Sequence, residues 1–149
     1  MICTYGKPQQ EGASGFTLTE VVVALAIIGV TAGGIITGYI QSGHFADWQA
    51  HSLAAHSLAM QRVEQCRAAK WDTRSFPPVD QLISSNFPVV TEQMELPVAG
   101  TNAQFATIDT AISTVSANPP LRMIQADCIW QLRGRTFTNT VVTYRAPDQ

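Results

Sequence analysis

Residues 16–40 read FTLTEVVVALAIIGVTAGGIITGYI, twenty-five residues in which Glu20 carries the only charge. As a helix rising 1.5 Å per residue, the run reaches about 37 Å, enough to cross the roughly 30 Å hydrocarbon core of a bilayer with some tilt. A carboxylate inside such a span costs roughly 2.5–3.5 kcal/mol at the bilayer centre, so Glu20 requires a partner. Gly29 and Gly33 stand four apart, as do Gly34 and Gly38. Small residues at that spacing let helices approach closely in lipid, and each glycine lowers helix propensity by about 1 kcal/mol relative to alanine.

The helix is expected to continue beyond the span. From Gln41 to about Lys70, Phe45, Trp48, Ala55, Ala59, Val63 and Cys66 recur at helical spacing as one apolar stripe, with Leu53 and Met60 widening it. Trp48 sits where an interfacial aromatic would. His44, His51 and His56 are seven and five apart, which does not give the one-face pairing that two helix ligands need, so they read as solvated or packing residues and no metal is expected. Pro77 and Pro78 should stop the helix by about Thr73.

A connector follows, and then strands. Gln104–Val115, Leu121–Leu132 and Thr136–Tyr144 alternate with β-branched residues, and Val89–Leu96 is a weaker candidate. Arg133-Gly134-Arg135 reads as a three-residue hairpin link with glycine available for a positive φ. Three or four antiparallel strands can cover the apolar stripe, which makes the fold class α+β: a long amino-terminal helix, its first half spanning a membrane, packed against a small carboxy-terminal sheet.

At 149 residues the chain has room for one small domain besides the span. Its formal charge of −2 offers no footprint for nucleic acid, and none is expected as a partner. Ser75–Pro120 carries four acidic residues and no basic one, whereas Arg62–Arg74 and Leu121–Gln149 are each net +2, an alternation that suits complementary faces between subunits or simply a solvated surface. Gly-x-Ser-x-Gly, P-loop, His-Glu-x-x-His, EF-hand and Cys-x-x-Cys patterns are absent from the sequence, so no enzyme, catalytic residue or cofactor is expected. Asp148, alone in the tail APDQ, suggests no metal site.

Gly15-Phe16-Thr17-Leu18-Thr19-Glu20, followed at once by the apolar run, resembles the processing and assembly signature of type IV prepilins and of the pseudopilins of type II secretion. The resemblance implies that a prepilin peptidase cuts after Gly15, that the new amino-terminal Phe16 is N-methylated, and that Glu20 guides assembly. It implies a leader at residues 1–15, a membrane-spanning half-helix at 16–40, a periplasmic half-helix at 41–74 and a β-rich head at 75–149. The partners it implies are the peptidase, other pilin or pseudopilin subunits, an inner-membrane assembly platform and inner-membrane lipid. The short head and the closing GRTFTNTVVTYRAP resemble I-type minor pseudopilins and PilV-like minor pilins.

Three readings compete with this one. A secretory signal has an apolar region of about 7 to 15 residues, but this run is longer and contains a glutamate. A plain uncleaved anchor leaves Gly15 and Glu20 unexplained, and a membrane-anchored periplasmic binding or adhesion module would use the span only as a tether. The leader MICTYGKPQQEGASG holds Lys7, whereas no lysine or arginine follows the span until Arg62, so the positive-inside rule favours a cytoplasmic amino terminus and a periplasmic head. Cleavage would remove Cys3. Cys66 and Cys128 would remain, a pair that permits a disulfide in an oxidising compartment or stands as two separately buried thiols.

Overall fold

The computed structural model describes residues 15–96 and 103–148. Residues 1–14, and with them most of the expected leader, Cys3 and Lys7, lie outside the described residues. The chain divides into two units, Met1–Ser42 and Gly43–Gln149.

One helix, α1 (Leu18–Ala68), runs through the boundary without interruption. No proline occurs between Pro8 and Pro77, so nothing in it removes an amide donor. In the first unit its apolar side chains all face outward, as they must if their solvent is lipid. Its threonines are satisfied locally: Thr31 Oγ1 donates to the Ile27 and Ile28 carbonyls at 2.9 and 3.0 Å, and Thr37 Oγ1 to Gly33 at 2.9 Å. Among the described residues α1 is the one helix long and apolar enough to cross a membrane.

In the second unit, the rest of α1 packs on a sheet. After α1 come a two-residue pair, β1 (Trp71–Asp72) and β2 (Val79–Asp80), a 3-10 turn at Ser84–Asn86, and then β3 (Val90–Gln93), β4 (Phe105–Ala117), β5 (Pro120–Leu132) and β6 (Arg135–Arg145). The last four form an antiparallel sheet in the order β3-β4-β5-β6. Ala106, Ile108 and Thr110 of β4 and Ile124, Ala126, Cys128 and Trp130 of β5 are buried, the period of two that puts one face of the sheet on the helix. The helix meets them with Ala55, Ala59, Val63 and Cys66. Ala55 and Ala59 of the helix and Ala106 and Ala126 of the sheet share this core with the larger Val63, Ile108 and Trp130.

The four sequence-predicted strands are all present, but four local expectations change. Leu53 and Met60 are exposed instead of widening the stripe, and His51 takes the buried place, its ring 5.6 Å from that of Trp130 and its Nδ1 2.7 Å from the Asp47 carbonyl oxygen. Leu132 pairs with Arg135, so the hairpin link has two residues, Arg133 and Gly134, both at positive φ. The helix ends at Ala68, short of Thr73. Asp148 is not alone, because it belongs to the contacts that end the helix.

Those contacts come from the far end of the chain. Arg145 Nη1 donates to the Cys66 and Ala69 carbonyls at 2.9 and 2.5 Å, taking orphan acceptors of the last turn. Arg145 Nη2 donates to Asp148 Oδ1 at 2.7 Å, while Asp148 accepts from Trp71 N–H at 2.8 Å and donates its own N–H to the Trp71 carbonyl at 2.7 Å. Nearby, Arg122 grips both oxygens of Asp80 at 2.7 and 2.6 Å and lies over the Trp71 ring at 4.5 Å.

Both carboxyls therefore titrate below the usual aspartate range, Asp148 through the Trp71 amide and then Arg145, and Asp80 chiefly through its hydrogen bonds from Arg122. A depressed folded-state value contributes stability that is present above the unfolded value, about 3.9, and is lost as pH falls through the folded one. The melting temperature of the head should accordingly vary little from pH 7 to 5 and drop below about pH 4. Asp148→Asn should flatten part of that acid limb in a pH series of thermal melts.

Candidate functional site

The resemblance points to the start of α1. Thr17 stands at the N-cap: its carbonyl accepts from Val21 N–H at 3.2 Å, and its side-chain Oγ1 accepts from Glu20 N–H at 3.3 Å. Glu20, at the third helical position, reciprocates, its Oε2 accepting from Thr17 N–H at 2.8 Å and from Thr17 Oγ1 at 3.0 Å. This is a capping box, two orphan amides satisfied crosswise. The partner that Glu20 requires is thus found, within the single chain, three residues away. Thr17 was overlooked as a functional residue, although Thr-x-x-Glu ahead of an apolar run is its sequence signature.

Thr17 Oγ1 also lies 3.0 Å from Thr19 Oγ1. Of the Glu20 carboxylate only Oε2 is engaged; among the described residues Oε1 has no hydrogen-bond partner. The negative charge also lies in the first turn, at the positive end of the helix dipole. Phe16 is largely exposed just ahead of the cap, and a Cβ built on Gly15 would meet no atom within 4 Å. The chain itself places nothing around Gly29, Gly33, Gly34 and Gly38 either.

Cys66 and Cys128 are both buried as free thiols, the second of the two arrangements the sequence leaves open. Cys128 packs with Ala55, Ala59 and Val63, whereas Cys66 packs with Ile124, Trp71 and Leu82. Ile124 is four residues from Cys128 on β5, about 13 Å along the strand, and a disulfide needs Cα atoms within about 7 Å. Burial, together with the charge of Glu92, pushes the Cys128 thiol up to about 11, so it is protonated and unreactive at neutral pH. In the protein cut after Gly15, denaturation without reductant should release two titratable thiols, and native protein should show neither to an alkylating reagent; a mass lower by two hydrogens would mean the bridge forms after all.

The remaining sequence-picked residues do not converge. His44 meets Arg133 at 3.2 Å, His51 is core, and His56 is exposed on the helix. Asp127 accepts from Gln125 and from Thr140 on the sheet face away from the helix. Among the described residues no three His, Cys, Asp or Glu side chains are grouped to hold a metal ion.

Residues 12–36 match the family model described as the prokaryotic N-terminal methylation motif. The matched stretch takes in Gly15, Phe16, the capping box and most of the apolar run, and none of the head. It supports a pilin-type protein whose amino terminus is processed by prepilin peptidase and whose long apolar helix anchors it in the membrane. Comparison with curated proteins and with solved structures found no match.

Proposed function

We propose that this chain is a structural, non-enzymatic subunit of a pilin-type filament, a minor pseudopilin of a type II secretion pseudopilus or a minor pilin of a type IV pilus. It would be cut between Gly15 and Phe16, methylated on Phe16, and held in the inner membrane by residues 16–40 with its head in the periplasm. An assembly platform would then draw it among other subunits. The observation that carries this reading is the methylation motif at residues 12–36 placed on an unbroken helix of 51 residues.

Cleavage supports the electrostatics. It creates an α-amine next to Thr17, and in a low-dielectric filament core an ammonium and a carboxylate from adjacent subunits satisfy each other where lipid satisfies neither.

The test is mass spectrometry of the mature amino terminus from cells with an active prepilin peptidase. The expected species begins at Phe16 and carries one methyl group, about 14 Da above the unmodified peptide because CH₃ replaces H. Retention of Met1, or a cut beyond Ile40, would remove the assignment. Deleting the chain then separates the two subunit roles from a tethered binding module: lost secretion or piliation fits a filament subunit, and intact filaments with lost ligand binding fit the module.

A further inference from the structure

We infer that the head has a lateral docking edge: the free side of β6 takes the free side of β3 of a second copy, so that one antiparallel sheet runs on from head to head. This stands on the unit Gly43–Gln149 alone and does not depend on the span or on processing.

The four-stranded sheet has two open sides, β3 and β6. Edges that stay solvated usually carry a device against pairing: a short strand, lysine, proline, a bulge or a covering element. Among the described residues β6 shows none of these. It runs for 11 residues in unbroken register with β5, and the stretch TFTNTVVTY within it has no charge and no proline. The register shift of the sheet lies elsewhere, between Thr114 and Ser116 of β4.

Charge selects the occupant. Pairing β6 with a second β6 in full antiparallel register sets Arg135 opposite Arg145 at both ends, and like charges directly opposite are destabilising. β3 is acidic instead, with Glu92 inside it and Glu95 just beyond. Among the described residues neither carboxylate has a hydrogen-bond or ionic partner, and Arg135 has none either.

The ladder fixes which backbone groups are available. Met94 N–H donates to the Gln104 carbonyl at 2.8 Å, so by antiparallel alternation Met94 and Glu92 turn toward β4, while Thr91 and Gln93 turn their N–H and C=O outward. The same alternation, carried across β4 and β5 by their register, leaves Thr136, Thr138 and Thr140 outward on β6. Setting Thr136 opposite Thr91 of the second copy therefore joins outward groups to outward groups. On the helix side of the sheet that register puts Arg135 opposite Glu92 and Phe137 opposite Val90. Opposite charges, an aromatic against a β-branched residue, and threonine against threonine are the cross-strand pairs that stabilise sheets.

The spacing leaves room. Four strands at about 4.8 Å put successive heads about 19 Å apart, wider than the roughly 10–12 Å diameter of the helix packed on each sheet. The contact is heterologous, so all heads point the same way and each end of the row keeps one edge open.

The experiment mixes two forms of the full chain in detergent, both carrying Cys3→Ser, one with Thr91→Cys and the other with Thr136→Cys; both positions are exposed, and Cys66 and Cys128 are buried. Opposed Cα atoms of a hydrogen-bonded antiparallel pair lie about 5.5 Å apart, within disulfide range. Mild oxidation should give a mixed disulfide dimer, with each form alone staying monomeric. Thr140→Cys, about 13 Å further along β6, should not be captured by Thr91→Cys. Arg135→Glu in the Thr136→Cys form, or Glu92→Lys in the Thr91→Cys form, should each lower the yield roughly fivefold. The two reversals together should restore it, which damage to either fold would not allow. Absence of the mixed dimer, equal capture at Thr140→Cys, dimers of Thr136→Cys alone, or no rescue by the paired reversal would each overturn the inference.

Discussion

Trp130→Ala is expected to remove a large share of the head's stability. Trp130 is among the largest fully enclosed side chains, stacked between the His51 ring at 5.6 Å and the Phe137 ring at 4.7 Å. Removing such a side chain costs roughly 3–5 kcal/mol through lost transfer energy and the cavity left behind. A domain of this size is stable by about 5–15 kcal/mol in all. The loss does not stop at packing, because Trp130 Nε1 donates to Asn139 Oδ1 at 2.7 Å, and Asn139 Nδ2 in turn donates to the Ser52 carbonyl and hydroxyl on α1 at 3.2 and 3.0 Å. Truncation strands the Asn139 oxygen next to the core and loosens the tie from β6 to the helix. Thermal melts of the detergent-solubilised chain should show a fall of more than about 12 °C. Trp130→Phe, which keeps the ring stack and loses the N–H donor, should fall by clearly less, about 1–3 kcal/mol. Equal losses in the two variants would mean that the hydrogen bond, and not the packing, dominates.

Incorporation into filaments should collapse in Glu20→Ala and in Glu20→Gln alike, and the comparison between them is informative because of Thr17. Glutamine at the third helical position can still accept from the Thr17 amide, so Glu20→Gln preserves the capping box while removing the charge. Alanine removes both, with about 0.5–2 kcal/mol lost from the helix start. If the carboxylate serves as the counter-ion of a neighbouring Phe16 amine, either change leaves an ammonium unpaired in an apolar surrounding. That costs roughly 3–5 kcal/mol, more than a hundredfold in the assembly equilibrium. A filament-shearing assay beside a blot for the mature form measures it. Normal incorporation of Glu20→Gln with failure of Glu20→Ala would assign the residue to capping alone.

Much of this architecture could be read from local pattern. The alternation in TFTNTVVTY reads as β6 because one face of that strand is half-buried and the other wet, and the four-residue rhythm of Ala55, Ala59 and Val63 reads as the packed half of α1 because that face is buried. What escaped was set by contacts distant in sequence. The helix stops at Ala68 because Arg145 and Asp148, more than seventy residues on, take its last carbonyls and the Trp71 amide. His51 is buried because an indole from β5 lies against it, and nothing in the helix sequence marks it off from His44 or His56. The two cysteines could be counted but not placed, since their separation depends on which rung of β5 each one faces. At the candidate site the order reversed: Gly15, Phe16 and Glu20 were legible from resemblance, whereas Thr17 is purely local and was legible from spacing alone.

The carboxylate of Glu20 behaves as a group with two ports. Everything the helix start asks of it is met through Oε2, on the side facing Thr17. The Oε1 lone pairs are unspent, so an incoming cation has somewhere to dock without evicting the amide already bound. Joining a filament and keeping the first turn wound are therefore not rival uses of the residue. If the cation is the Phe16 amine of a neighbouring subunit, a subunit entering this way would keep its first turn wound as it is received.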